Sequence, residues 1–212
     1  MKNINTGGIS YLEELPGSGG WYWGTDYTSG DLYEAQELWQ DGHAISKNRF
    51  ILVRYPEGRV AEPVKARDGQ YFGCPAVLEG DPVILLADFP AGRISLLRYD
   101  DESGTAEPIV ILPLTSVKDC YNLIPHTSPL CLTRQAENRF QIVWPEKADF
   151  PIDPRESFCC RDGDRLYFSE WFEDPDYREE VVVRKLPTGR IIDRFPGSVV
   201  TMPGGEGWIL TK

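Results

Sequence analysis

The sequence has few of the residues on which most enzyme sites depend. Its 212 residues include two histidines, His43 and His126, and an odd number of cysteines, five. No two cysteines have the two-residue separation of zinc knuckles and redox-active pairs. A Gly-x-Ser-x-Gly elbow and a glycine-rich phosphate loop are absent as well. These absences predict no catalytic residues, no metal and no cofactor, with the thiols reduced.

Basic residues and long apolar runs are also scarce. There are 22 Lys and Arg against 33 Asp and Glu, a formal net charge of −11. Such a chain repels a phosphate backbone, so we expect no nucleic-acid partner. The longest apolar runs, at 83–86 and 108–114, fall far short of the roughly 18 residues of a membrane span. We expect no membrane partner, and the lack of a signal-like N-terminus predicts a cytoplasmic location.

What the sequence does contain is a repeated string of an apolar or aromatic residue, Pro, any residue, Gly and Arg. It occurs at 55–59, 89–93 and 186–190, and residues 144–147 form a degraded copy with Lys147 in place of the glycine. Proline presets φ for a type I turn, and glycine supplies the left-handed residue that ends a three-residue hairpin loop. Residue types that favour strands flank each string. Each string therefore predicts a hairpin turn.

The copies begin at residues 55, 89, 144 and 186, and their mean spacing of about 44 residues is close to one propeller blade. The predicted fold is all-β, with repeated antiparallel hairpins in a propeller-like arrangement of about four blades. A β-sandwich or barrel is the alternative, because the spacing is irregular. We expect one β-rich domain over residues 1–212, made of an N-terminal segment (1–43) and hairpin repeats (44–212).

In one segment, two predicted strands are followed by a turn, which is the order of elements in a propeller blade. The segment runs from Asp162 to Trp171, continues through Val181 to Leu186, and ends in the turn at Gly189. This segment resembles a blade of β-propeller repeat proteins, best over residues 160–200. The resemblance implies small antiparallel sheets around a channel, an architecture that hosts both binding modules and enzymes.

A single helix is predicted near the N-terminus, from Asp31 to Gln40. Leu32, Ala35 and Leu38 recur at helical spacing, Asp31 offers a capping oxygen, and Gly42 provides a stop.

Aromatic residues are densest just before this helix, in the segment from Trp21 to Tyr27. Such rings can stack on a sugar or a peptide, and a carboxylate can accept a sugar hydroxyl. We take Trp21, Trp23, Asp26 and Tyr27 as the candidate ligand-binding residues. In a strand, Trp21 and Trp23 share one face, so the alternative is that this face is core.

These observations predict a non-catalytic binding or protein-interaction module with a protein or carbohydrate ligand. The alternative function is a carbohydrate-active hydrolase that uses loop carboxylates, such as those at 100–102, 162–164 and 173–176. The hydrolase requires the two tryptophans to be exposed as substrate contacts beside facing acids. The binding module requires an exposed aromatic or apolar surface.

Overall fold

The chain folds into four antiparallel sheets that follow one another along the sequence. The computed structural model describes residues 1–45, 48–174 and 176–211. It confirms the predicted all-β, propeller-like fold of four blades with one short N-terminal helix. Within the described residues, no helix has the length and apolar character needed to span a membrane.

Internal contacts group the chain into two compact units, residues 1–125 and residues from His126 onward. The prediction of a single domain stays a prediction. The first two sheets lie in the first unit and the last sheet lies in the second. The boundary falls inside the first strand of the third sheet.

The first unit has a core of large apolar side chains from both of its sheets. The strand with the sequence FILVR is buried almost throughout, and its Phe50 packs on Phe72 with 5.4 Å between ring centroids. The first sheet has the order β1-β2-β3-β4, and in the second β5, β7, β8 and β9 are neighbours while β6 pairs with β7. The strands are β1 (Glu13–Glu14), β2 (Trp21–Thr25), β3 (Phe50–Arg54), β4 (Arg59–Ala61), β5 (Gln70–Phe72), β6 (Ala76–Leu78), β7 (Asp81–Asp88), β8 (Arg93–Asp100) and β9 (Thr105–Pro113).

The second unit is built around a cluster of phenylalanines. The rings of Phe140 and Phe168 meet edge to face with their centroids 5.1 Å apart. Phe150 and Phe158 also contact the ring of Phe140. The third sheet has the order β10-β11-β12-β13 and the fourth β14-β15-β16-β17-β18. The strands are β10 (Leu123–His126), β11 (Cys131–Ala136), β12 (Arg139–Trp144), β13 (Ala148–Pro151), β14 (Glu156–Asp162), β15 (Arg165–Phe172), β16 (Arg178–Lys185), β17 (Arg190–Thr201) and β18 (Gly207–Thr211).

The predicted helix is present as α1 (Leu32–Gln40), between β2 and β3. The side chain of Asp31 caps it by accepting hydrogen bonds from the backbone N–H groups of Tyr33 (2.9 Å) and Glu34 (3.1 Å). The helix ends before Gly42, whose φ of +74° suits glycine and whose N–H donates to a carbonyl of the last turn.

The predicted hairpin turns are present, but two details differ from the expectation. The loops contain four residues rather than three, because Arg54 pairs with Arg59 and Lys185 with Arg190. The turns are also not all equivalent. Those at Gly58 and Gly189 join the third and fourth strands in the spatial order of their sheets. The turn at Gly92 joins β7 and β8, which are second and third in the spatial order β5-β7-β8-β9.

The equivalent turn of the second sheet is the one at Gly104, between β8 and β9. Its glycine has φ +71°, beside +77° at Gly58 and +69° at Gly189. In all three, the glycine N–H donates to the carbonyl four residues earlier, at 2.7 to 2.9 Å, whereas Gly92 donates to the carbonyl three residues earlier. Gly58, Gly104, Lys147 and Gly189 are 46, 43 and 42 residues apart. The repeat is therefore more regular than the proline-containing strings indicate.

Candidate functional site

The two tryptophans of the predicted ligand surface lie in the core. Trp21 is 3% exposed and Trp23 is 6% exposed. Trp21 meets Tyr99 edge to face at 5.7 Å, and Trp23 stacks on Phe50 at 6.0 Å. They share the face of β2 that packs inward, and Trp23 also borders a small pocket with Tyr11 and Glu13. The hydrolase alternative requires exposed tryptophans, and neither side chain is exposed; the ligand-binding role of Trp21 and Trp23 stays a prediction.

Asp26 and Tyr27 lie beyond the end of β2 and are both exposed. One carboxylate oxygen of Asp26 accepts a hydrogen bond from the backbone N–H of Arg49, at 2.8 Å. Ligand binding by Asp26 and Tyr27 stays a prediction. These two residues lead directly into an open pocket that begins two positions later.

The pocket lies in the first unit and has a volume of about 240 Å³. Two chain segments, 29–33 and 120–124, supply its walls together with Cys74. The first segment contains the start of α1, and the second contains the start of β10.

Left-handed backbone shapes both segments. Thr28 (φ +51°), Ser29 (φ +45°) and Gly30 (φ +83°) are consecutive, and the backbone N–H of Asp31 donates back to the carbonyl of Thr28 at 2.7 Å. Asn122 has φ +45° in the second segment. Non-glycine residues in this region cost about 1–3 kcal/mol each and concentrate at functional sites.

Two tyrosines form the aromatic part of the pocket wall. Tyr33 and Tyr121 meet edge to face, with centroids 5.4 Å apart and planes at 88°. Tyr121 is 41% exposed, and its backbone N–H donates to the carboxylate of Asp119 at 3.0 Å. The hydroxyl of Tyr33 is hydrogen-bonded to Glu37, which raises the pKa of that phenol above its usual value, and the charge of Asp119 raises it further. Tyr33 therefore lies near two carboxylates, those of Glu37 and Asp119.

The two thiols in the pocket do not suit nucleophilic chemistry. Burial, aided by the charges of Glu13 and Asp31, raises the pKa of Cys74, so its thiol stays protonated near neutral pH. Cys120 is only 1% exposed. Within the described part of the chain, no three His, Cys, Asp or Glu side chains are grouped to hold a metal ion.

Neither histidine lines the pocket. His126, in the second unit, is enclosed by an edge-to-face contact with Phe158 at 4.8 Å, and its Nε2 is 2.8 Å from the hydroxyl of Thr133. Burial lowers the pKa of His126 from 6.5 to about 4. The ring is therefore neutral in the folded protein at pH 5–7.

This burial predicts a pH-dependent stability. Because the unfolded state binds the proton first, the stabilisation is complete above pH 6.5 and is lost as the pH falls from 6.5 to about 4. We expect a loss of up to about 2 kcal/mol between pH 7.5 and pH 5. Urea unfolding should show this loss in the unsubstituted protein and in a His43→Gln control, and a much smaller one in His126→Gln. An equal loss in all three would contradict the role of His126.

A second surface exposes apolar side chains at the C-terminal ribbon, defined as residues 197–201 of β17 with β18. Trp208 is 52% exposed, Leu210 50% and Ile209 40%. The pocket beside α1 is concave and combines side chains from two chain segments, so we take it as the candidate site.

Only part of the pocket could be predicted from the sequence. Tyr33 follows the aromatic-rich segment 21–27 closely in the sequence, but no sequence pattern predicted that Tyr121 and Asn122 belong to a site. In the sequence, these two residues form a Tyr-Asn pair after Asp119 and Cys120. Such a pair is common in loops and does not by itself indicate a binding site.

Comparisons with known proteins found similarity to solved structures but no similarity to a protein family or to a curated protein sequence. No protein-family model matches the chain, and no curated protein matches its sequence. Among solved structures, the tail fibre of Staphylococcus aureus phage P68 matches with 15% identity and a TM-score of 0.39, over 91% of this chain and 39% of that one. A candidate 6-phosphogluconolactonase from Bacteroides uniformis matches with 12% identity and a TM-score of 0.41, over 93% of this chain and 61% of that one. The chain thus spans less than two thirds of either protein.

Proposed function

We propose that the protein is a non-catalytic binding or protein-interaction module that binds its ligand in the pocket beside α1. The observation that carries this proposal is the meeting of Tyr33 and Tyr121 at the wall of an open pocket. Exposed tyrosines supply large contact area at little entropic cost and are enriched where proteins bind partners. The cytoplasmic location stays a prediction.

A binding role agrees with the chemistry of the pocket residues. The thiol of Cys74 stays protonated, and the carboxylate of Asp31 is engaged in capping α1. What the pocket offers is therefore aromatic surface and negative charge around a concave space. Those properties suit recognition of a ligand.

The proposal predicts that Tyr121→Ala weakens ligand binding about tenfold or more, because truncating an exposed aromatic anchor commonly costs more than 1 kcal/mol. Ligands would be selected with the unsubstituted protein from a displayed library of 12-residue peptides and from a glycan array. Affinities for the selected ligand would then be measured by calorimetry.

Tyr177→Ala is the matched control. Tyr177 is 67% exposed and hydrogen-bonded to Glu179, much as Tyr33 is to Glu37, but it lies in the second unit. Its loss should change the affinity less than twofold. Selection of no ligand, or an affinity that Tyr121→Ala leaves unchanged, would count against the proposed function.

A further inference from the structure

The size of the pocket limits what it can enclose. Pockets for drug-sized ligands measure about 300–1,000 Å³, and this one measures about 240 Å³. It therefore has room for the end of one amino-acid side chain.

The charge around the pocket selects for a cation. Among the described lining residues, Asp31 is the one with a charged side chain, and Glu37 and Asp119 lie close enough to Tyr33 to raise its pKa. The start of α1 contributes about half a positive charge, but this is outweighed by the full negative charges of Asp31 and of Glu34 in the first turn. An anionic group would therefore be repelled.

The tyrosine pair adds an attraction that is specific for cations. Aromatic faces carry negative charge density, so an ammonium or guanidinium group within about 6 Å of a ring centroid is stabilised. In the edge-to-face pair of Tyr33 and Tyr121, one ring points its edge at one face of the other. The contact between the two rings therefore covers one face of one ring. A planar guanidinium can also stack on a ring, which a lysine ammonium cannot do.

We propose that the pocket binds the guanidinium group of an arginine side chain in a basic segment of a partner protein. The inference rests on the proposed function and specifies its ligand. It agrees with the excess of acidic residues over the whole chain, 33 against 22 basic ones, which would favour approach of a basic segment.

The test is an NMR titration of the ¹⁵N-labelled full chain with acetyl-Gly-Arg-Gly-amide. We expect saturable shifts at the backbone amides of residues 29–33 and 120–124. The same tripeptide with citrulline in place of arginine keeps the planar shape but removes the charge and replaces one NH₂ group by a carbonyl acceptor, and it should bind at least fivefold more weakly. Equal binding of the two tripeptides would overturn the inference, as would the absence of saturable shifts with arginine.

Substitutions at the pocket separate charge from helix stability. Asp31→Asn removes the charge but keeps a good N-cap residue, so the helix should persist while arginine binding weakens about fivefold. Asp41→Asn removes the same charge beyond the other end of the nine-residue helix, about 15 Å away along the axis, and should weaken binding less than twofold. Tyr121→Ala should weaken binding about three- to fivefold. Equal effects of Asp31→Asn and Asp41→Asn would overturn the inference.

The proposed function can survive a failure of this inference. Cellobiose and the citrulline tripeptide serve as neutral probes in the same titration. Saturable pocket shifts with a neutral probe but not with the arginine tripeptide overturn the cation preference and leave a binding pocket. If the ligands selected from the libraries also ignore Tyr121→Ala, the proposed function fails as well.

Discussion

Replacing Arg184 with alanine should lower the free energy of unfolding by about 3–5 kcal/mol, because it leaves a buried carboxylate without its partner. Arg184 donates to both carboxylate oxygens of Glu156, at 2.8 and 2.6 Å, and to the carbonyl of Gly189 at 2.6 Å. Glu156 is 1% exposed and Arg184 8% exposed. Chemical denaturation of the variant measures the loss.

The neighbouring residue provides the control. The ammonium of Lys185 pairs with Asp164, but both side chains are substantially exposed, so Lys185→Ala should cost less than about 1 kcal/mol. The double variant Arg184→Met with Glu156→Leu should regain most of the stability, since an apolar pair can replace a buried ion pair. Similar losses in Arg184→Ala and Lys185→Ala would show that this buried pair is not a main support of the fourth sheet.

Gly189→Ala should destabilise the protein by about 3 kcal/mol, and the equivalent Gly104→Ala by only about 1 kcal/mol. Both glycines have φ near +70° and so share the backbone strain of an L-residue. A methyl group at Gly189 would lie 2.1 Å from Cγ of Phe150 and 2.3 Å from its Cδ2, whereas nothing lies within 4 Å at Gly104. The difference between the two variants isolates the packing of the turn against Phe150.

A second background separates strain from packing. In a Phe150→Ala protein, the ring is gone but the Cβ of residue 150, 2.7 Å from the added methyl group, remains. Gly189→Ala should then cost clearly less than the loss of about 3 kcal/mol in the unsubstituted background, but more than the loss of about 1 kcal/mol at Gly104. Unfolding midpoints of the four proteins give the comparison. Equal costs at Gly104 and Gly189 in the unsubstituted background would mean that the turn does not pack on Phe150 as described.

The hairpins could be predicted from local chemistry, but the positions of these hairpins within the sheets could not. Proline and glycine constrain a turn through their own backbones, so the strings at 55–59 and 186–190 could be identified directly. The equivalent turn of the second sheet has no proline. There the side chain of Asp100 accepts a hydrogen bond from the N–H of Ser103, at 2.7 Å, which also lowers the pKa of that carboxyl. The turn at Gly92 has the same Pro-x-Gly-Arg sequence as the turns at Gly58 and Gly189, although it joins a different pair of strands.

The candidate site was only partly accessible to sequence reasoning. Alternation along β2 shows that Trp21 and Trp23 share a face, but it does not say whether that face is core or surface. Tyr33 and Tyr121 are 88 positions apart, and only the fold brings their rings to 5.4 Å. The capping role of Asp31 was predictable because it depends on residues two and three positions away.

The most direct test of the pocket as the ligand site is a residue-resolved map of NMR shift changes. The full chain, labelled with ¹⁵N, would be titrated with a peptide selected in the library screen. We expect the largest changes at residues 29–33 and 120–124, with saturation at the affinity measured by calorimetry. Changes concentrated in the C-terminal ribbon, at 197–201 and 207–211, would contradict the assignment and place the binding surface on the exposed side chains around Trp208.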